Sequence, residues 1–433
     1  MHSLVLLSAL IATDAPDFPD HAKAFVLTLS REDFAAAVKD FDDTMTKVLP
    51  ADRLKTVWQS VTGRFGAFKE ATETRVEQKG KLTIVFVASK FEKGPLDVRV
   101  VFDADKKIAG LQFLPPASAT PYEWPGYVTP DKFTEREVAF AWEPGWELPA
   151  TMTMPKGDGL FPAVVLVHGS GPLDRDETVG PNKPFRDLAG GLASRGIAVL
   201  RYEKRTREHG AKMMSAGPIT VKEEVLDDAL AAVKFLRREK GIDAGRVYVL
   251  GHSLGATMAP KLATLDPKIS GLIIMAGATR PIVDLILEQM TYLAKLSGEP
   301  DAIVLEKLSK LKDQVAKAKD PKLSPDTPAD QMPLNQPAAY WLSFRGYEPA
   351  KVAADLNTPM LILHGDRDYQ VTLADYDLWE KALAGRSHAT LRRYANLNHL
   401  FMEGEGKGTP AEYQKAGHVA KGVIEEIANW IKR

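Results

Sequence analysis

The chain has 433 residues, 56 Lys and Arg against 57 Asp and Glu, a formal net charge of −1, and no cysteine. That length suggests about two or three domains, and 45% hydrophobic with 26% charged residues suits a globular protein with a sizeable core. The balanced charge gives no electrostatic reason to expect nucleic acid as a partner, and the missing cysteine excludes disulfides, thiolate metal sites and a thiol nucleophile, so covalent catalysis must use oxygen or nitrogen.

The first residues carry an apolar run, Leu4 to Ala12, of the length of a signal-peptide core but without a basic start. It is too short to span a bilayer as a helix. It reads either as an atypical signal peptide within residues 1–20, giving a periplasmic or secreted protein, or as a hydrophobic lead-in to the first domain. No other stretch is apolar enough to cross a membrane.

Residues 21–115 read as an α+β domain. Phe34, Val38, Phe41 and Met45 form one helical stripe, and Leu54, Val57, Trp58 and Val61 another, with Pro50 between them. Alternation then marks strands at Leu82–Ala88, Leu96–Phe102 and Ile108–Leu114. Helices followed by an antiparallel meander resemble the small nuclear-transport-factor-like domains, which implies a structural or interaction role. No acid/base constellation is present in it.

A Pro-rich, aromatic linker over residues 116–136 carries Tyr122, Trp124 and Tyr127 and is expected to pack on a domain surface. Beyond it, residues 137–433 change pattern. A hairpin is expected around Pro144-Gly145, then apolar strands at Ala163–Val167, Ile197–Leu200, Val247–Leu250, Leu272–Met275 and Met360–Leu363, separated by helices such as Val221–Glu239. Strands alternating with helices predict an α/β fold, a mostly parallel, doubly wound sheet covered on both faces. Residues 279–350 interrupt it with two helical patterns, Ile282–Leu296 and Ala302–Ala318, and read as a cap. A last strand, Thr390–Tyr394, and a helix over Ala411–Ile431 close the chain.

Gly251-His252-Ser253-Leu254-Gly255 is a G-x-S-x-G pentapeptide directly after an apolar strand and opening a helical stretch. The turn is so sharp that side chains at 251 and 255 would clash, and it lifts Ser253 to the carboxyl edge of the sheet. His252 is read as structural. Here the sequence resembles the α/β-hydrolase superfamily, in particular bacterial serine esterases of the dienelactone-hydrolase and acyl-esterase branch. Dienelactone hydrolases proper use cysteine at this point, so that activity is not implied.

The resemblance implies the chain order Ser, acid, His. Its pattern H-G-x-x-D-x-x-V matches His364-Gly365-Asp366-Arg367-Asp368 with Val371, making Asp368 the acid; Asp366, the rival, reads as a turn-capping residue. Three histidines follow: His388 at a strand start, His418 on the terminal helical pattern, and His399 in a loop. Asn398-His399-Leu400-Phe401 matches the esterases' N-H-x-F, making His399 the base. The oxyanion hole is then the N–H of Leu254 and, by resemblance to the H-G-x-G loop in His168-Gly169-Ser170-Gly171, that of Ser170. The charge-rich segments Asp174–Glu177 and Arg201–Arg205 read as a salt-bridge network holding that loop, or as a site for a substrate's anionic group.

The implied reaction is hydrolysis of a small-molecule carboxylic ester through an acyl-enzyme, with no cofactor or metal needed. A peptidase or thioesterase would use the same triad, and a non-catalytic binding protein on a hydrolase fold is the alternative from another class. In the cap, Tyr340, Trp341, Phe344 and Tyr347 either shape an aromatic pocket or fasten cap to core. Oligomeric state is not legible in the sequence.

Overall fold

The structure is a computed structural model that describes residues 17–114, 122–298 and 300–433. The apolar run Leu4 to Ala12 and the start of the Pro-rich linker lie outside the described residues. The chain divides into two compact units, residues 1–117 and 118–433.

The first unit opens with a helix, Phe18–Ser30, whose Ala22, Phe25, Val26 and Leu29 are buried at helical spacing. The stripe from Phe34 to Met45 is not one helix. Phe41 is extended and bridges Ile108, and Asp42 caps a new helix, Asp43–Val48, by accepting the Met45 N–H at 2.6 Å. The aspartate offers the backbone a cap in place of a continuous helix, and that breaks the stripe. After Ala51–Phe65 come four antiparallel strands, β1 (Phe68–Lys79), β2 (Leu82–Phe91), β3 (Gly94–Phe102) and β4 (Ile108–Leu114), in the order β1-β2-β3-β4. β1 was not predicted: its sequence, FKEATETRVEQK, has no apolar alternation and is mostly exposed. Trp58 packs among Phe68, Phe91 and Phe113 and ties the last helix to the sheet.

The second unit contains β5 (Phe133–Phe140), β6 (Leu148–Pro155), β7 (Phe161–Val167), β8 (Ala198–Tyr202), β9 (Ile242–His252), β10 (Leu272–Met275), β11 (Met360–Gly365) and β12 (Ala389–Tyr394). Their order is β12-β11-β10-β9-β7-β8-β6-β5. β5 and β6 form the antiparallel hairpin, β6 also runs antiparallel to β8, and the rest of the sheet is parallel. The apolar runs follow from burial on both faces. Ala163, Val165 and Val167 of β7 join one core layer with the helix Leu254–Leu265, whereas Val164 and Leu166 join the other with the helices Pro184–Ala193 and Lys421–Ile431. Every side chain of such a strand meets a helix, so alternation disappears.

The insertion before β11 forms the helices Ile282–Leu296 and Asp301–Lys319 and, after an irregular stretch, the short helices Ala338–Leu342 and Pro349–Asp355. The aromatic linker residues pack on their own unit: Tyr122 donates to Asp187 at 2.6 Å and Tyr127 to the Val419 carbonyl at 2.7 Å. Among the described residues, no helix is long and apolar enough to cross a membrane.

Candidate active site

β9 ends at His252 and the next helix begins at Leu254, so Ser253 alone makes the turn, at φ 53° and ψ −114°. That backbone is strained for a residue with a Cβ, by about 1–3 kcal/mol, and persists because its surroundings hold it. The Ser253 N–H donates to the Met275 carbonyl at 3.0 Å, and its own carbonyl accepts the N–H and hydroxyl of Thr257 at 2.9 and 3.0 Å. The two glycines are sterically required. A Cβ on Gly251 would lie 2.3 Å from the Gly255 carbonyl oxygen, and one on Gly255 would lie 2.2 Å from that of Val167. Leu254 occupies the first helical position, where no preceding helical carbonyl can accept its N–H.

Asp368 and His399 are brought together although 31 residues separate them: His399 Nδ1 lies 2.6 Å from Asp368 Oδ2, with both side chains buried. Gly365 makes this possible at the end of β11, since a Cβ there would stand 2.4 Å from the Leu397 carbonyl oxygen. The base loop is held by Asn398, whose Oδ1 accepts the N–H groups of Leu400 and Met402 at 3.0 and 3.2 Å. With Nδ1 donating to the carboxylate, Nε2 of His399 is left as a proton acceptor.

The rival residues have other partners. Asp366 forms a two-pronged pair with Arg393 at 3.0 and 2.9 Å. The turn-capping role expected of Asp366 belongs to Asp368, whose Oδ1 accepts the N–H of Gln370 and Val371 at 2.7 and 3.0 Å. His388 precedes β12, and its carbonyl accepts the Met360 N–H. The terminal helix expected from Ala411 starts only at Lys421, so His418 is not helical. Asp187 accepts the Val419 N–H at 2.8 Å and meets His418 Nδ1 at 3.0 Å, which takes a backbone donor away from any helix there.

The loop after β7 lies against the elbow: a Cβ on Gly169 would be 3.2 Å from Ser253 Cβ and 3.7 Å from its Oγ. Gly169 N–H donates to Glu177 at 2.7 Å and Gly171 N–H to Glu224 at 3.3 Å. Between them, the Ser170 N–H makes no hydrogen bond to the described residues. Lys204 is buried beneath the loop, donating to the Gly169 carbonyl and to Glu224, each at 2.6 Å. His168 donates Nε2–H to the Asp174 carbonyl at 2.9 Å, and burial pushes its imidazole down to about 4, so it is neutral.

The two charged segments form the network. Arg175 sits between Glu203 and Glu137, Arg201 between Asp176 and Glu135, and Arg205 pairs with Asp228. Each of these cations has a carboxylate partner within the protein. Glu224, which sequence reasoning did not single out, lies in a single π turn, Lys222–Leu226. Such a turn re-aims side chains at a site, and no sequence signal marks it.

Two of the cap aromatics reach the core: Tyr347 donates to the Thr257 carbonyl at 2.8 Å and the Tyr340 hydroxyl faces Glu224, while Tyr340 and Trp341 also pack on Val283, Leu311 and Val315 of the cap itself.

Residues 162–406 match the family described as serine aminopeptidase, S33, and residues 22–111 match the family described as protein of unknown function, DUF3887. Esterase EstD of Thermotoga maritima is 40% identical over 418 residues, 96% of this chain and 95% of that protein. Among solved structures, a Pyrococcus furiosus esterase is 17% identical with a TM-score of 0.44, covering 74% of this chain and 96% of that one. A putative dienelactone hydrolase from Klebsiella pneumoniae is 19% identical with a TM-score of 0.41, covering 70% of this chain and 99% of that one. The chain belongs to the serine aminopeptidase S33 family of α/β-hydrolases, with a DUF3887 domain ahead of the hydrolase domain.

Proposed function

We propose that the protein cleaves carboxylic esters through an acyl-enzyme on Ser253. The observation that carries this reading is the buried 2.6 Å contact between His399 and Asp368, on loops that flank the strained serine turn. Ser253 Oγ attacks the acyl carbonyl carbon while its proton passes to His399 Nε2. The tetrahedral oxyanion is stabilised by the N–H groups of Leu254 and Ser170, and the alcohol leaves with the proton from His399. Water, deprotonated by His399, then attacks the acyl-enzyme, and collapse releases the acid and restores Ser253.

The similarity to Esterase EstD along nearly the whole chain supports esters over amides as the substrate bond. The test is labelling with a fluorophosphonate, followed by p-nitrophenyl esters of increasing acyl length. Label on the native protein, none on Ser253→Ala, and ester turnover are the expected results. Equal label on Ser253→Ala overturns the assignment of the nucleophile. Turnover of aminoacyl anilides in preference to esters moves the reading to a peptidase.

A further inference from the structure

Two buried residues outside the triad join all three segments of the site. Glu177, 2% exposed, accepts the Gly169 N–H through Oε1, and its Oε2 lies 3.0 Å from His252 Nδ1. His252, 5% exposed, donates through Nε2 to the main-chain carbonyl of His399 at 2.9 Å, and its ring stands 4.7 Å from that of His399. His252 is also the residue immediately before Ser253. One line of contacts therefore runs from the oxyanion loop through Glu177 and His252 to the base loop, crossing the elbow on the way.

The chemistry of the pair is defined by its neighbours. A carbonyl can only accept, so Nε2 of His252 carries a proton, and Nδ1 stands 3.0 Å from the Glu177 carboxylate, an ion pair whenever Nδ1 is protonated too. Burial opposes both charges, but each partner outweighs that cost for the other: the His252 imidazole is held above its usual range and the Glu177 carboxyl below its own. Glu177 also has a left-handed backbone, φ 52°, a strained conformation for a residue with a Cβ. The strain is kept at a residue whose carboxylate joins the loop after β7 to the elbow.

We propose that the Glu177–His252 ion pair is a positioning pair, which holds the oxyanion loop and the base loop in register with Ser253 through its charge as well as its shape. This rests on the assignment of Ser253 as nucleophile. Tetrahedral-state stabilisation depends on donors placed to a few tenths of an ångström, so loosening either loop lowers kcat more than it raises KM.

The experiment uses the full chain and p-nitrophenyl acetate. Glu177→Gln keeps a carbonyl oxygen for the Gly169 N–H and removes the charge. His252→Gln keeps an N–H for the His399 carbonyl and removes the charge from the other side. Each is expected to lower kcat by on the order of tenfold or more with KM within about twofold, and the double variant to be no worse than the poorer single one. Native kcat in both single variants, a rise in KM alone, or losses that multiply in the double variant overturns the proposal. If both variants fail to fold, as judged by circular dichroism, the pair is a folding determinant and the proposal is likewise overturned. Ser253→Ala separates the two levels. An inactive Ser253→Ala beside fully active Glu177→Gln and His252→Gln removes only the positioning pair, whereas an active Ser253→Ala removes the nucleophile assignment and this proposal with it.

Discussion

Asp368 uses its two carboxylate oxygens for different tasks: Oδ2 lies 2.6 Å from His399 Nδ1, and Oδ1 accepts the N–H of Gln370 and Val371 at 2.7 and 3.0 Å. The backbone donors fix the carboxylate's rotation, so the second oxygen can point only at the imidazole. Asp366, two residues earlier, turns instead to Arg393.

Asp368→Asn should therefore lower kcat by on the order of 10³ to 10⁴, because an amide in place of Oδ2 favours the wrong imidazole tautomer. Asp366→Asn removes an ion pair with a half-exposed arginine, worth about 1 kcal/mol or less, and should leave kcat near native. Steady-state kinetics of the two variants side by side check this. A larger loss in Asp366→Asn reverses the assignment.

Gly255→Ala should abolish soluble expression or activity. The added methyl would lie 2.2 Å from the Val167 carbonyl oxygen and 2.7 Å from that of His168, both main chain, so relief requires moving β7 or the oxyanion loop. Overpacking of this kind costs about 1–3 kcal/mol or more. Gly126→Ala, with nothing within 4 Å of a Cβ, is the control and should melt with the native protein.

Lys204→Met should destabilise the protein by about 3–5 kcal/mol, because it leaves the buried Glu224 carboxylate without its cation. The double change Lys204→Met with Glu224→Gln should recover part of that loss. Tyr347→Phe, which gives up one hydrogen bond to the Thr257 carbonyl, should cost only about 1 kcal/mol and leave KM near native if the residue fastens the cap rather than lining the substrate site. Denaturant unfolding and initial-rate kinetics test both.

The buried histidines give opposite pH dependences. His168 is held down to about 4 by burial, against an ordinary value of about 6.5, so its contribution to stability is complete above about 6.5 and is lost as pH falls toward 4. His168→Gln should flatten that part of the acid limb in a series of melting curves. His252 is held above its ordinary range by Glu177, so its contribution is complete below about 6.5 and is lost as pH rises through its raised value. The other groups facing this pair are His399 and Asp368 on the His252 side and His168 on the Glu177 side. Glu177→Gln should remove the alkaline decline in melting temperature that arises from the pair, and an unchanged decline counts against an imidazolium at His252.

Much of the site is legible in the chain because it is local. The elbow is five consecutive residues between an apolar strand and a helix, and the candidate acid and base, Asp368 and His399, follow β11 and β12 in the order the superfamily resemblance requires. The two cap helices are legible from periodicity for the same reason. β1 was missed because both of its faces are largely polar, and the single helix from Phe34 to Met45 was wrong because a capping aspartate overrides a hydrophobic stripe.

By itself the sequence determined that covalent chemistry would not use sulfur, that Ser253 would stand at a sheet edge, and that strands buried on both faces would form the sheet. Only the tertiary structure decided how the charges pair. Glu177 and His252 are 75 residues apart in number, and Lys204 meets a glutamate from a π turn 20 residues further on. Hydrophobic periodicity is a property of one segment, whereas a buried ion pair depends on which segments the sheet order brings to one edge. The absent cysteine excluded sulfur from the start; the fold then brought His399 against Asp368 and set the His399 carbonyl on the residue that precedes Ser253.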